Sequence, residues 1–167
     1  MSVDNAVQPF EIEPGSVRWL SDSEQSVWRQ LLSVETRLHD RLDRDLREAH
    51  GLTLGEYAVL VSLSEAGQEG LRMSDLADLL ALSRSGLTRR IDGLVKAGLV
   101  LRHSCPNDGR GTMAQLTDTG AARLAEAAPT HVAGVRRYLI DVLGGDLEGL
   151  AEGLRRVEEA LGQCPHC

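Results

Sequence analysis

Residues 82–120 read LSRSGLTRRIDGLVKAGLVLRHSCPNDGRGTMAQLTDTG, and the order of helix, strand and turn signals here points to one architecture. Ser83 carries the short hydroxyl side chain that caps a helix N-terminus, and Leu87, Ile91, Leu94 and Val95 follow at the spacing of one buried helix face. Gly98 stops that helix. Residues 99–104 then read as a strand, residues 105–111 are dense in turn formers, and residues 112–116 read as a returning strand. A β-hairpin therefore follows directly on a helix. Upstream, Ser74 is expected to cap a short helix with Leu76, Ala77, Leu79 and Leu80, joined by a brief turn at Ala81 and Leu82 to the helix behind Ser83. Two short helices across a tight turn, then a hairpin, make a winged helix-turn-helix. The fold class expected is mainly α with a small β-hairpin wing (α+β).

Upstream of these helices, Leu71-Arg72-Met73 is expected to form one short strand. Thr53 and Glu56 form a capping box for a helix carrying Tyr57, Leu60, Val61 and Leu63. Ser21 and Glu24 form another, opening a long helix to about His50 whose apolar positions are Trp28, Leu31, Leu38, Leu42, Leu46 and Ala49, with Gly51 as its C-terminal stop. Beyond the hairpin, Thr117 caps a helix to about Leu143 that Pro129 should kink or divide. Gly144 and Gly145 break the chain, and a last helix carries Leu147, Leu150, Leu154, Val157 and Leu161 on one narrow stripe. Such a stripe needs a partner helix. The first helix of the same chain could serve. The long flanking helices nevertheless outnumber what a winged helix of this size can cover, which favours a dimer built from the two chain ends. The expected divisions are a flexible acidic arm (1–20), an N-terminal dimerisation helix (21–52), a winged helix-turn-helix DNA-binding domain (53–116), C-terminal dimerisation helices (117–161) and a Cys-containing tail (162–167).

The chain has 167 residues, of which 42% are hydrophobic and 26% charged, the composition of one globular domain. Aromatics are only 3%, so Leu and Ala must build the core. No run approaches the 18 or so apolar residues of a membrane span, and the first 24 residues hold five acids against Arg18, which is unlike a signal peptide; the expected location is cytoplasmic. Net charge is −7, yet residues 83–111 contain six cations (Arg84, Arg89, Arg90, Lys96, Arg102, Arg110) and two acids (Asp92, Asp108). That segment stands at +4 on an otherwise acidic chain, and a phosphate backbone responds to a local patch rather than to the total. Three cysteines do not make a secreted disulfide framework.

From about Leu52 to Gly120 the chain resembles the MarR family of bacterial regulators. The residues that carry the resemblance are Leu82 to Leu94, then Ala97-Gly98-Leu99-Val100, then Asp108-Gly109-Arg110-Gly111, then Leu116-Thr117-Asp118-Thr119-Gly120. Family members show a similar recognition helix ending in G-L-[IV], a wing with D-x-R, and L-T-x-x-G opening the next helix. The resemblance implies a homodimer with interleaved N- and C-terminal helices, two winged domains on a pseudo-palindromic operator in double-stranded DNA, and repression relieved by a small ligand or by thiol oxidation.

At the DNA face, Ser83 and Ser85 can offer hydroxyls to phosphates or base edges, and Thr88 a hydroxyl and a methyl. Arg89, one turn beyond Ser85, could fork onto guanine, while Arg84 and Arg90 fit phosphate contacts. The resemblance places Arg110 in the minor groove, with Asp108 either orienting an Arg or simply forming the turn. A dimer neutralising half to two-thirds of its twelve cations on phosphate would show a log K against log[salt] slope of about −5 to −7.

The sensing side is less marked. The family binds aromatic effectors in a cleft between the dimer helices and the winged domain, and the candidate lining residues are Trp28, His39, Tyr57 and His131, with core packing as the alternative for Trp28 and Tyr57. Two histidines do not make a metal site, and nothing asks for a cofactor. The family's peroxide sensors use a Cys near the first helix; none precedes Cys105 here. Cys105 in the wing and Cys164 and Cys167 in the terminal C-P-H-C leave a thiol-redox or metal-responsive regulator as an alternative. An enzyme reading lacks H-E-x-x-H, a Walker loop, G-x-G-x-x-G and G-x-S-x-G, leaving only a thiol oxidoreductase at Cys164 and Cys167. The other rival is a helical dimerisation module without DNA binding.

Overall fold

The structure is a computed structural model that describes residues 15, 17–105 and 108–162, with side chains placed for residues 17–104 and 111–162. Helix α1 (Asp22–His50) opens on the Ser21–Glu24 capping box, in which each residue's side chain bonds the other's backbone N–H, and closes on Gly51 at φ 64°. Helix α2 (Leu54–Glu65) repeats the device with Thr53 and Glu56. A 3₁₀ turn (Gly67–Glu69) leads to strand β1 (Leu71–Arg72), helix α3 (Met73–Leu79) and helix α4 (Arg84–Lys96). Strands β2 (Val100–Cys105) and β3 (Asp108–Leu116) form the wing. Helix α5 (Asp118–Val135), a π turn (Arg136–Ile140), the short α6 (Asp141–Leu143), a 3₁₀ turn (Gly144–Asp146) and α7 (Leu147–Gly162) complete the described chain. The small sheet is antiparallel in the order β1-β3-β2, with Leu71 opposite Ala114 and Val100 opposite Leu116. This is the mainly helical winged helix-turn-helix expected from the sequence.

The core lies where α1, α2, α3, α4 and the base of the wing meet. Leu46, Val59, Leu60, Leu63, Leu76, Leu87, Ile91, Leu94 and Val100 are each fully buried there. At about 1.5–3 kcal/mol for each buried aliphatic side chain, these residues dominate the stability of the winged unit. Gly120 lets α5 approach the backbone just before β2 closely, because a Cβ there would overlap the Leu99 carbonyl oxygen.

Four local expectations need correction. Ser74 does not cap α3: the N-cap is Arg72 in extended backbone, and the Ser74 hydroxyl bonds the neighbouring Asp75 carboxylate at 2.9 Å. The reason is that β1 feeds straight into α3, leaving Ser74 inside the first turn. Pro129 does not divide α5, which runs through it; the irregularity comes instead at Arg136–Ile140, where Tyr138 reaches back to Asp45 on α1 at 2.8 Å. Val95 stays 38% exposed, since Ile91 and Leu94 already occupy the inward face of α4. Strand β3 begins at Asp108, so much of the stretch expected as turn belongs to the sheet.

The apolar stripe on α7 is not taken up by α1 of the same chain. Leu154, Val157 and Leu161 are each more than half exposed, as are Trp28 and Leu31 on α1. Among the described residues no helix is long and apolar enough to cross a membrane.

Candidate nucleic-acid interface

Helix α4 is built as a reader with one apolar and one polar face. Leu87, Ile91 and Leu94 anchor it in the core, which turns Arg84, Ser85, Thr88 and Arg89 to solvent. Ser83 sits at the N-cap, its Oγ accepting from the Gly86 N–H at 3.1 Å and lying 3.4 Å from Ser85 Oγ. The Thr88 hydroxyl donates to the Arg84 carbonyl at 2.8 Å, so it can only accept from a ligand. The helix N-terminus adds its own partial positive charge to this end.

A cleft of about 430 Å³ runs between α3, α4 and the wing, lined by Arg72, Ser74, Arg84, Thr88, Arg102 and Thr112 among others. Three arginines and no acid line it among the described residues, the electrostatics an anionic backbone requires. Arg102 fixes one wall: it donates to Asp92 Oδ1 at 2.6 Å and to the Thr88 carbonyl at 3.2 Å, tying β2 to α4. At the far end of the hairpin, Cys105 pairs with Asp108 across the strands, and Arg110 lies on β3 just before Gly111. The side chains of Cys105, Asp108 and Arg110 lie outside the described residues, as do Cys164 and Cys167 altogether.

Arg90 is placed differently from its neighbours. It is partly buried and its guanidinium lies over Gly55 on α2. Nearby, burial pushes the Asp43 carboxyl up, but hydrogen bonds from Arg47 and the Leu54 N–H and the charges of Arg47 and Arg90 outweigh that and hold it below its ordinary value.

Of the four candidate effector residues, two meet. The Tyr57 and His131 rings stack with centroids 4.5 Å apart. His131 Nδ1 is buried without a hydrogen-bond partner among the described residues, and burial lowers its pKa while raising that of Tyr57. Thr130, next to His131 in the chain, is joined to His50 at 2.8 Å. His39 lies on the exposed side of α1 beside the Glu35 carbonyl, and Trp28 is exposed nearer the start of that helix, so neither joins the stack. Sequence reasoning missed a separate groove of about 450 Å³ lined by Val34, Arg37, Leu38, Arg41, Arg44 and Tyr138, with Arg41 and Arg137 over the Tyr138 ring at 5.5 and 5.6 Å. The cations at 37, 41 and 44 repeat at helical spacing and were the available signal. Among the described residues, no three potential ligands gather into a metal site.

Comparison with known proteins agrees with this geometry. A family model described as MarR family matches residues 50–111. The structure resembles the crystal structure of AbsC, a MarR family transcriptional regulator from Streptomyces coelicolor, with a TM-score of 0.80 and 43% identity, covering 88% of this chain and 100% of that one. It equally resembles Sco3205, a MarR family regulator from the same organism solved in complex with DNA (TM-score 0.80, 40% identity, 86% and 94% coverage). The regulator PecS of Dickeya dadantii is 30% identical over 131 residues, 78% of this chain and 79% of its own. These relatives are transcriptional regulators rather than enzymes, and the chain belongs to the MarR family of winged-helix transcriptional regulators.

Proposed function

We propose that the protein is a homodimeric repressor that acts in the cytoplasm on a pseudo-palindromic operator and is released by a small ligand. The observation that carries the DNA reading is the exposed polar face of α4 beside an arginine-lined cleft on an otherwise acidic chain. Helix α4 enters the major groove by its N-terminal half, Arg89 reading guanine, Ser85 and Thr88 contacting base edges, and Ser83 and Arg84 holding phosphate. The wing lies along the backbone, with Arg110 in the minor groove and Asp108 orienting it. Residues 53–116 are the DNA-binding unit, and residues 21–52 and 117–161 the dimerisation arms. The exposed stripes on α1 and α7 support the dimer, since apolar faces of this kind need a partner. Two similar structures support operator binding: Sco3205 was solved with DNA, and a mutant of Escherichia coli MarR with operator DNA. A curated relative from Bacillus subtilis is named a transcriptional repressor. The proposed effector cleft lies beside the Tyr57–His131 pair, where an aromatic ligand would have to part the buried Tyr57 ring from the half-buried His131 ring to reach the His131 nitrogen that has no hydrogen-bond partner among the described residues.

The test is selection of bound sequences from random duplex DNA by the purified protein. An enriched palindrome with half-sites about 10 bp apart, or a multiple, is the expected result. No enrichment from a protein that is dimeric in solution would overturn it in favour of a helical dimerisation module.

A further inference from the structure

Arg90 stands on the recognition helix next to Arg89, yet its side chain leaves the DNA face and lies flat on the first turn of α2. A Cβ built on Gly55 would lie 2.5 Å from Arg90 Cζ and 2.7 Å from both Nη1 and Nη2. Near-equal distances to these three atoms mean that the guanidinium plane is laid against the glycine face, where no side chain fits. Glu56, the residue after Gly55, brings its carboxylate toward Gly93 on α4, one turn beyond Arg90, with Oε1 at an ordinary contact distance of 3.8 Å from a Cβ built there. Gly55 thus lets the Arg90 side chain lie across α2, while Gly93 leaves ordinary contact distance to Glu56. A cation over the first turn of a helix opposes the helix dipole, so the position needs an anion. Asp43 on α1 is that anion: its Oδ1 accepts from the Leu54 N–H at 2.8 Å, it lines the same cleft as Gly55 and Arg90, and the Arg90 charge acts on it.

We infer that Arg90 is a positioning residue which, through Gly55 and Asp43, fixes the recognition helix relative to α1 and so sets the spacing of the two recognition helices in the dimer. This rests on the DNA-binding reading above. Elsewhere α4 meets α2 and α3 through aliphatic side chains, which tolerate small rotations, whereas a planar guanidinium in a glycine seat beside a carboxylate does not. A small rotation of α4 is multiplied across the dimer into a change of half-site spacing.

The test uses the full-length protein and the duplex selected by the wild type, together with versions of that duplex carrying one base pair more or fewer between half-sites. Arg90→Met, Arg90→Lys and Gly55→Ala are compared. Alanine is a better helix former than glycine, so Gly55→Ala has no intrinsic reason to harm α2 beyond evicting the guanidinium. All three variants are expected to lose about tenfold in affinity for the selected duplex and to lose most of the wild type's discrimination against altered spacing. Their log K against log[salt] slope should equal the wild type's, and Gly55→Ala/Arg90→Met should be no weaker than the worse single variant. A salt slope shallower by about two units in Arg90→Met, one contact per protomer, with Arg90→Lys restoring affinity, would make Arg90 a phosphate contact and overturn the inference. So would a Gly55→Ala protein indistinguishable from wild type. Should Arg90→Met fail to fold, Gly55→Ala, far from DNA, decides alone. A wild type that selects no duplex refutes the DNA reading itself, a result distinct from variants that match a wild type which does bind.

Discussion

Arg102, on the second strand of the wing, donates to Oδ1 of Asp92 on the recognition helix at 2.6 Å. The pair fixes the angle between the two elements that must meet the major and minor grooves together. Asp92→Ala removes an acid from the DNA face, so charge alone predicts tighter binding. The strut predicts the reverse: a loss of about 1 kcal/mol, roughly fivefold, because the half-exposed pair no longer holds the wing. Fluorescence anisotropy on the selected operator at fixed salt checks the sign, and tighter binding by Asp92→Ala would count against the strut.

Arg89 and Arg84 are both exposed on α4 but are expected to fail in different ways. Arg89→Ala should lose about 1–3 kcal/mol on the selected operator and relax the preference at one base pair of each half-site. Arg84→Ala should weaken all sequences alike and make the salt slope shallower by about 0.9 for each protomer. Melting temperatures should be unchanged in both, since neither side chain packs in the core.

Close backbone approach makes one glycine indispensable. A Cβ at Gly120 would overlap the Leu99 carbonyl oxygen and lie 2.8 Å from Leu116 Cδ1, and the backbone atom cannot swing aside. Gly120→Ala should therefore destabilise by about 2–3 kcal/mol and lower the melting temperature by roughly 5–10 °C. Gly149→Ala on α7, where nothing lies within 4 Å, is the control and should leave melting unchanged or raise it.

Much of this architecture was legible because its signals are local. The Ser21–Glu24 and Thr53–Glu56 boxes, the Ser83 cap and Gly51 mark helix ends through contacts spanning three or four residues. The hairpin likewise follows from a turn-rich stretch between two strand-like runs. What was not legible depends on partners distant in sequence. Arg90 has the charge and neighbours of a phosphate contact; only its meeting with Gly55 turns it inward. Ser74 has the chemistry of a cap, but the pairing of β1 with β3 starts the helix earlier. Tyr57 and His131 meet because α2 packs on α5, whereas His39 and Trp28 stay exposed on α1.

Burial holds the His131 imidazole below its ordinary value near 6.5. The unfolded chain restores that value and so binds more protons than the folded one. The contribution to stability is complete above about pH 6.5 and is lost as pH falls from there through the lower folded value. Thermal melts at pH 7.5, 6.5 and 5.5 should show a decline that His131→Phe, which keeps a ring against Tyr57, flattens. Asp43, held below 3.8, contributes its own loss only at more acid pH and does not overlap this window. An equal decline in wild type and variant would show that the buried ring is not its source.

The α7 stripe gives the clearest test of assembly. Leu150, Leu154, Val157 and Leu161 are all exposed in the single chain, as are Val27, Trp28, Leu31 and Leu32 on α1. Leaving either stripe in water forfeits about 1.5–3 kcal/mol for each side chain that a partner would bury. Leu154→Glu/Leu161→Glu sets two carboxylates into one stripe, and a buried unpaired charge costs several kcal/mol. Multi-angle light scattering should report a dimer for the wild type and a monomer for the variant. Because no α7 residue enters the core around Leu46 and Leu60, the monomer should keep its helical circular dichroism. Its operator affinity should fall to that of a single half-site, insensitive to half-site spacing. A variant that stays dimeric would place the interface elsewhere than on these stripes.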